Sequence, residues 1–223
     1  FFSVTTILSA IAKPALINWA AKEVATFAVE NRDSWLNLDP DSAVDLLKRS
    51  PYRNKTKAAN LGSAVHKAVE AHNLGTVAIY PDEVVPFMEQ FALFIKEHEP
   101  TFELAEASVY NRSQKYAGTL DMIAVVDGRR LLIDVKTGKA IYPEVSLQLA
   151  AYSRAEFIGL PDGTEEPMVQ VDGAAALHLR ADSWELIPVR IDDDVFRSFL
   201  YVREVFRWME ETSKTVLGKA RVA

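Results

Sequence analysis

Apolar residues recur at helical spacing through the first hundred positions and then switch to strand spacing. Ser3, Val4, Thr5 and Thr6 can cap a first helix whose apolar face holds Ile7, Leu8 and Ile11 and which Pro14 interrupts. Leu16, Trp19, Ala20, Val24 and Phe27 form one face of a second helix starting at Ala15. Asp41 to Leu47 reads as a further short helix, Asn60-Leu61-Gly62-Ser63 opens one that runs to about His72, and Pro81 to His98 buries Val84, Phe87, Phe91 and Phe94. Beyond residue 100, β-branched and aliphatic runs flank Asp127-Gly128, the dipeptide that favours a two-residue type I′ hairpin. A helix is expected over 144–158. The stretch from Gly159 to Pro167, with three acids and two prolines, reads as a surface loop. Met168 to Arg190 then reads as a second hairpin, with strands Gly173–Leu179 and Trp184–Val189. Asp192, Asp193 and Asp194 serve as the N-terminal cap of a last amphipathic helix over 192–215 rather than as a metal cluster.

The expected fold class is therefore α/β: a central mixed sheet flanked by helices, with a helical N-terminal region. The 223 residues, 49% hydrophobic, suit one domain over 1–223, mainly helical over 1–100 and with its sheet core over 101–190. With no cysteine, thiol catalysis, disulfides and iron-sulfur clusters are excluded. No apolar run reaches the roughly 18–20 residues of a membrane helix, and a cytoplasmic location is expected.

The hairpin turn fixes a register. If Val126 pairs with Arg129, paired positions sum to 255 and Asp121 lies directly opposite Asp134. Two opposed carboxylates repel unless something compensates, and a divalent cation would do so. Lys136, two residues past Asp134, points to the same face, where its ammonium can meet an attacking water or a phosphate oxygen. The carboxylates, with the Val135 carbonyl, are hard oxygen ligands suited to Mg2+ or Mn2+. His66 and Glu70 stand at i, i+4 on one helix face, offering an imidazole ligand and an acid that bonds it or serves a second ion. Gln148 and Tyr152 share that spacing on the helix after Lys136 and suit phosphate or sugar contacts.

The net charge of −6 is unevenly spread: no acid falls between Leu46 and Val69, which hold Lys48, Arg49, Arg53, Lys55, Lys57 and Lys67. Arg53, Lys55, Lys57 and Lys67 are candidate phosphate contacts. Glu106 is a second-metal or supporting candidate on the strand before the hairpin. His178 is read as structural.

The order Gly62-x-x-x-His66-x-x-x-Glu70, Gly118-x-x-Asp121, Asp134-x-Lys136-Thr137-Gly138, Gln148-x-x-x-Tyr152 resembles the RecB-like branch of the PD-(D/E)XK nucleases, including its phage-encoded members. Leu120 stands where the name-giving proline would be, and the four cysteines of CRISPR-associated relatives are absent. The resemblance implies a restriction-endonuclease-like core. It implies DNA cleavage with one or two Mg2+ or Mn2+ ions held by His66, Asp121 and Asp134, with Lys136 positioning water and Gln148 and Tyr152 holding DNA or supporting the site. It points to an exonuclease in bacterial or phage recombination, repair or replication, fed by a helicase or single-strand-binding protein. A structure- or sequence-selective endonuclease, or an inactive DNA-binding subunit, are the alternatives.

Overall fold

The computed structural model describes residues 1–160 and 162–220, without the side chains of 53–55. The chain divides into two compact units, one of residues 12–63 and the other of 1–11 with 64–223. The smaller unit is helical. It holds α2 (Pro14–Glu30), α3 (Arg32–Trp35) and most of α4 (Pro40–Asn73). α2 begins at Pro14, whose fixed φ and missing N–H suit a first turn. The sequence pattern predicts two helices between Asp41 and His72, yet α4 is one helix of 34 residues running through Pro51. Proline removes the bond that would end on the Leu47 carbonyl. Ser50 Oγ donates to that carbonyl at 2.8 Å, so the acceptor is not left bare.

The larger unit is an α/β layered structure with an eight-stranded mixed sheet, seven strands in the order β6-β5-β2-β3-β4-β7-β8 and the eighth, β1, paired to β3 off this path. Its strands are β1 (Phe2–Ser3), β2 (Thr101–Asn111), β3 (Tyr116–Val126), β4 (Arg129–Lys136), β5 (Phe157–Gly159), β6 (Glu165–Pro167), β7 (Gly173–Leu179) and β8 (Trp184–Val189). The β3–β4 turn has positive φ at both central residues, 49° at Asp127 and 76° at Gly128, as the primed turn requires. The predicted register holds from Val126–Arg129 to Met122–Ile133. β7 lies parallel to β4, and Ala174 to Leu179 are all buried, as expected of a strand covered on both faces.

Helices α1 (Val4–Leu8), α6 (Glu144–Ser153) and α7 (Asp193–Glu210) share a core with the sheet through Ile7, Leu149, Phe199, Leu120 and Leu132. α5 (Val85–His98) contributes a second aromatic cluster, with Phe91 6.2 Å from Phe102 and Phe94 5.5 Å from Trp184. Asp192 caps α7 as expected, accepting from the amides of Asp194 and Val195.

Four boundaries differ from the pattern. α1 stops at Leu8, where Ser9, Ala10 and Ile11 turn through i→i−3 bonds before Pro14. The helix expected over 144–158 ends at Ser153, because Phe157–Gly159 joins the sheet beside β2. The expected loop from Gly159 to Pro167 instead closes a small hairpin, fastened by Arg112, which pairs with Glu165 at 2.6 Å and stacks over Phe157. α7 ends at Glu210, short of 215, and a 3-10 turn over Thr212–Lys214 follows.

One feature of the topology positions the site. β2 occupies one edge of β3 along Tyr116–Val125, so the other edge is shared: β1 pairs at Tyr116 and Ala117, and β4 pairs only from Met122 onward. Residues 118–121 therefore lie in a fork where β4 leaves β3. Gly118 keeps the fork open for α6, since a Cβ there would stand 2.5 Å from Tyr152 Cε1. The Tyr152 ring is 3% exposed and hemmed in. Gly118→Ala is expected to cost about 1–3 kcal/mol in urea denaturation. Gly138→Ala, whose nearest neighbour is 3.7 Å away, should leave stability unchanged or higher.

Candidate metal centre

The fork collects carboxylates from three adjacent strands. Ala105–Met122 and Ala107–Leu120 are paired in the β2–β3 ladder, so Glu106 and Asp121 face each other on the rung between them. Asp134 follows Ile133, the last residue of β4 paired to β3. Neither of these two rungs is a regular backbone pair. The amide of Val135 donates instead to Asp121 Oδ2 at 2.7 Å, so a side chain replaces the missing carbonyl. On the other side Glu106 has φ 46°, a left-handed conformation that costs a non-glycine residue roughly 1–2 kcal/mol. Such strain persists only where surrounding structure enforces it.

His66 arrives from α4, its Nδ1 3.4 Å from Asp121 Oδ2. One ligand atom each from His66, Glu106 and Asp121 lie within 4.8 Å of one another. Opposite ligands of an octahedral Mg2+ stand about 4.2 Å apart, so small adjustments would close this group on an ion. Asp134 is not in the triad. It is 2% exposed, and its Oδ1 accepts from Gln148 Nε2 at 2.7 Å. Its Oδ2 lies 2.5 Å from Lys136 Nζ, an ion pair that occupies that oxygen. An imidazole and two neighbouring carboxylates, one ligand atom from each within 4.8 Å of the others, together fit a divalent cation.

Electrostatics follow from the crowding. Burial, then the charge of Asp121, pushes Glu106 up to about 7. Burial likewise raises Asp134 to about 6, against the opposing pull of Lys136. For His66, burial disfavours the proton, but the hydrogen bond and charge of Asp121 outweigh it and its pKa is raised. The Tyr152 phenol is held above its ordinary value by burial and by Asp134.

Asp121, Asp134, Lys136, His66 and Glu106 are thus brought together, and Val135 joins them through its amide. Glu70 lies outside the triad, although its charge is felt at Glu106. From α6, Gln148 grips Asp134, while Tyr152 is too buried to offer DNA a surface. Lys67 is exposed, but as the neighbour of His66 it does not share its face. Lys57 is exposed on α4 in the helical unit, while the side chains of Arg53 and Lys55 lie outside the described residues.

One contributor was visible only as an odd polar residue in an apolar strand. His178 is 1% exposed and stands in register with Lys136. Its Nε2–H donates to the Gly138 carbonyl at 2.6 Å, while Nδ1 faces Arg180 at 3.3 Å. It pins the backbone just past Lys136.

No family model matches the chain, and no curated protein matches it in sequence. Among solved structures, one described as the crystal structure of SSO0001 aligns with 57% of this chain and 59% of its own length, at 13% identity and a TM-score of 0.34. The chain therefore spans about three fifths of that structure's length. Among the described residues, no helix is long and apolar enough to cross a membrane.

The shift at Glu106 has a stability consequence. An acid raised in the folded state, here from 4.5 to about 7, lets stability fall as pH rises through that window. In chelator-treated protein, Glu106→Gln should match the wild type near pH 4.5 and exceed it above pH 7. The half-exposed position limits the gain to the order of 1 kcal/mol. Urea denaturation at both pH values checks this.

Proposed function

We propose that this chain is a metal-dependent deoxyribonuclease, working as an exonuclease of the RecB-like kind. The observation that carries the reading is the rung of carboxylates Glu106, Asp121 and Asp134, met by His66 on one side and Lys136 on the other. A structural cation site has little use for an ammonium group 2.5 Å from one of its carboxylates. Phosphodiester hydrolysis does, because charge builds on the phosphate in the transition state. The motif order from Gly62 to Tyr152 supports the same reading.

His66, Glu106 and Asp121 would hold Mg2+ or Mn2+, with Asp134 beside them paired to Lys136. When bound, the ion supplies Lewis-acid polarisation of a phosphoryl oxygen and a lowered pKa for the attacking water. The chain's own groups do the rest. Lys136, with 35% of its side chain exposed, can turn from Asp134 towards water or a phosphate oxygen. Gln148 fixes Asp134 Oδ1, leaving Oδ2 to hold Lys136. His178 holds the strand end beyond Lys136, so the lysine's backbone cannot drift as its head group works.

Asp134→Asn and Lys136→Ala should each reduce Mg2+- or Mn2+-dependent degradation of end-labelled linear DNA by about 10²–10³-fold without altering circular dichroism. Closed circular DNA should survive the wild-type enzyme. Full activity in either variant would overturn the site, and equal attack on the circle would overturn the exonuclease mode.

A further inference from the structure

The helical unit carries a feature that the metal centre does not use. α2 has seventeen residues and none is fully buried; Leu16 is 49% exposed and Ile17 72%. Between α2 and α4 lies a groove of about 340 Å3, within the volume range of ligand sites. Its walls are Leu16, Trp19 and Val24 on α2, with buried Pro51 on the α4 side and Lys48 and Tyr52 at the rim. Tyr52 is 64% exposed, and Lys48 has no carboxylate partner among the described residues.

Charge separates this unit from the rest of the chain. Residues 12–63 hold eight Lys and Arg against six Asp and Glu, a net +2, whereas the remainder holds 17 against 25, a net −8. The positive excess is concentrated along α4, where the acid-free run begins at Leu46, two residues before Lys48. An apolar slot lined by two aromatic side chains, with the cation of Lys48 at its rim, has the chemistry of a base-stacking platform beside a phosphate track. A duplex keeps its base faces stacked inside and cannot enter such a slot, whereas unstacked bases can. A second copy of the unit would bring a like net charge to the same face.

We propose that this groove seats single-stranded DNA, with a base stacked against Trp19 and Tyr52 and the backbone passing Lys48. The proposal deepens the nuclease reading by naming a strand form, and it rests on that reading for its biological sense. Because binding can be measured without cleavage, the two stand or fall separately.

The test is fluorescence anisotropy of labelled oligo-dT and of a duplex of equal length, with the full chain in EDTA over a range of salt. Wild-type protein should favour the single strand. Trp19→Ala and Tyr52→Ala should each weaken single-strand binding about tenfold or more while changing duplex binding little. Lys48→Ala should lower the slope of log Kd against log salt by about 0.7. Tyr52 and Lys48 lie at the rim, so their variants keep the test valid if Trp19→Ala fails to fold, and Trp19→Phe should retain binding. Metal-dependent cleavage by the wild type is assayed separately. Cleavage with unchanged single-strand affinity in Tyr52→Ala and Lys48→Ala would overturn the groove and leave the nuclease. Groove-dependent binding without cleavage under any divalent ion would overturn the nuclease and leave the groove. A shift from dimer to monomer in Tyr52→Ala by analytical ultracentrifugation, with single-strand affinity unchanged, would make the groove a self-association face and overturn the proposal.

Discussion

Where β4 parts from β3, the Val135 amide gives its hydrogen to the Asp121 carboxylate at 2.7 Å. In an uninterrupted ladder that donor would meet a backbone carbonyl, and Asp121 would be one more residue on a regular strand. The fork changes both. It spares β3 a neighbour between the short β1 and the start of β4 pairing, gives Tyr152 room above Gly118, and draws Asp121 into the gap. Asp134 and Glu106 then fall on either side because register leaves them nowhere else to go.

Three acids in such proximity work against stability, and the molecule answers the repulsion in several ways. Asp121 spends one oxygen on a backbone amide, Asp134 is held between Gln148 and Lys136, and Glu106 retains its proton up to about pH 7. The left-handed backbone at Glu106 adds strain in the same place. A fold selected for stability alone would put apolar residues on this rung. Local cost concentrated where chemistry-bearing side chains converge is the pattern of a site whose function sets its sequence.

Much of this was legible in the sequence wherever local physics decides the outcome. Asp127-Gly128 dictates a primed turn, the turn dictates register, and register puts Asp121 and Asp134 together; the β7–β8 hairpin and the Asp192 cap are of the same kind. Pattern failed where a distant partner decides. Pro51 signals a break, but Ser50 quiets the carbonyl it strands, and α4 runs on. The acids and prolines of 159–167 signal a loop, but Arg112, far away in sequence, clamps a hairpin there. Glu106 was legible as a second-metal or supporting candidate on the strand before the hairpin, but not its grouping with His66 and Asp121 nor its left-handed backbone, which leave no mark in composition. Nor was the fork legible, since two-residue β1 is too short to register as a strand.

The fork, the strain and the raised acids would find one common explanation in the divalent cation proposed between His66, Glu106 and Asp121. The most direct test is isothermal titration of the chelator-treated chain with Mn2+, repeated with Asp121→Asn and in buffers of different ionisation enthalpy. Glu106 at about 7 and Asp134 at about 6 must give up protons as the ion binds, so affinity should climb from pH 6 to pH 8 with measurable proton release, and Asp121→Asn should abolish it. Absence of Mn2+ binding at pH 8, or binding that Asp121→Asn leaves intact, would contradict the account.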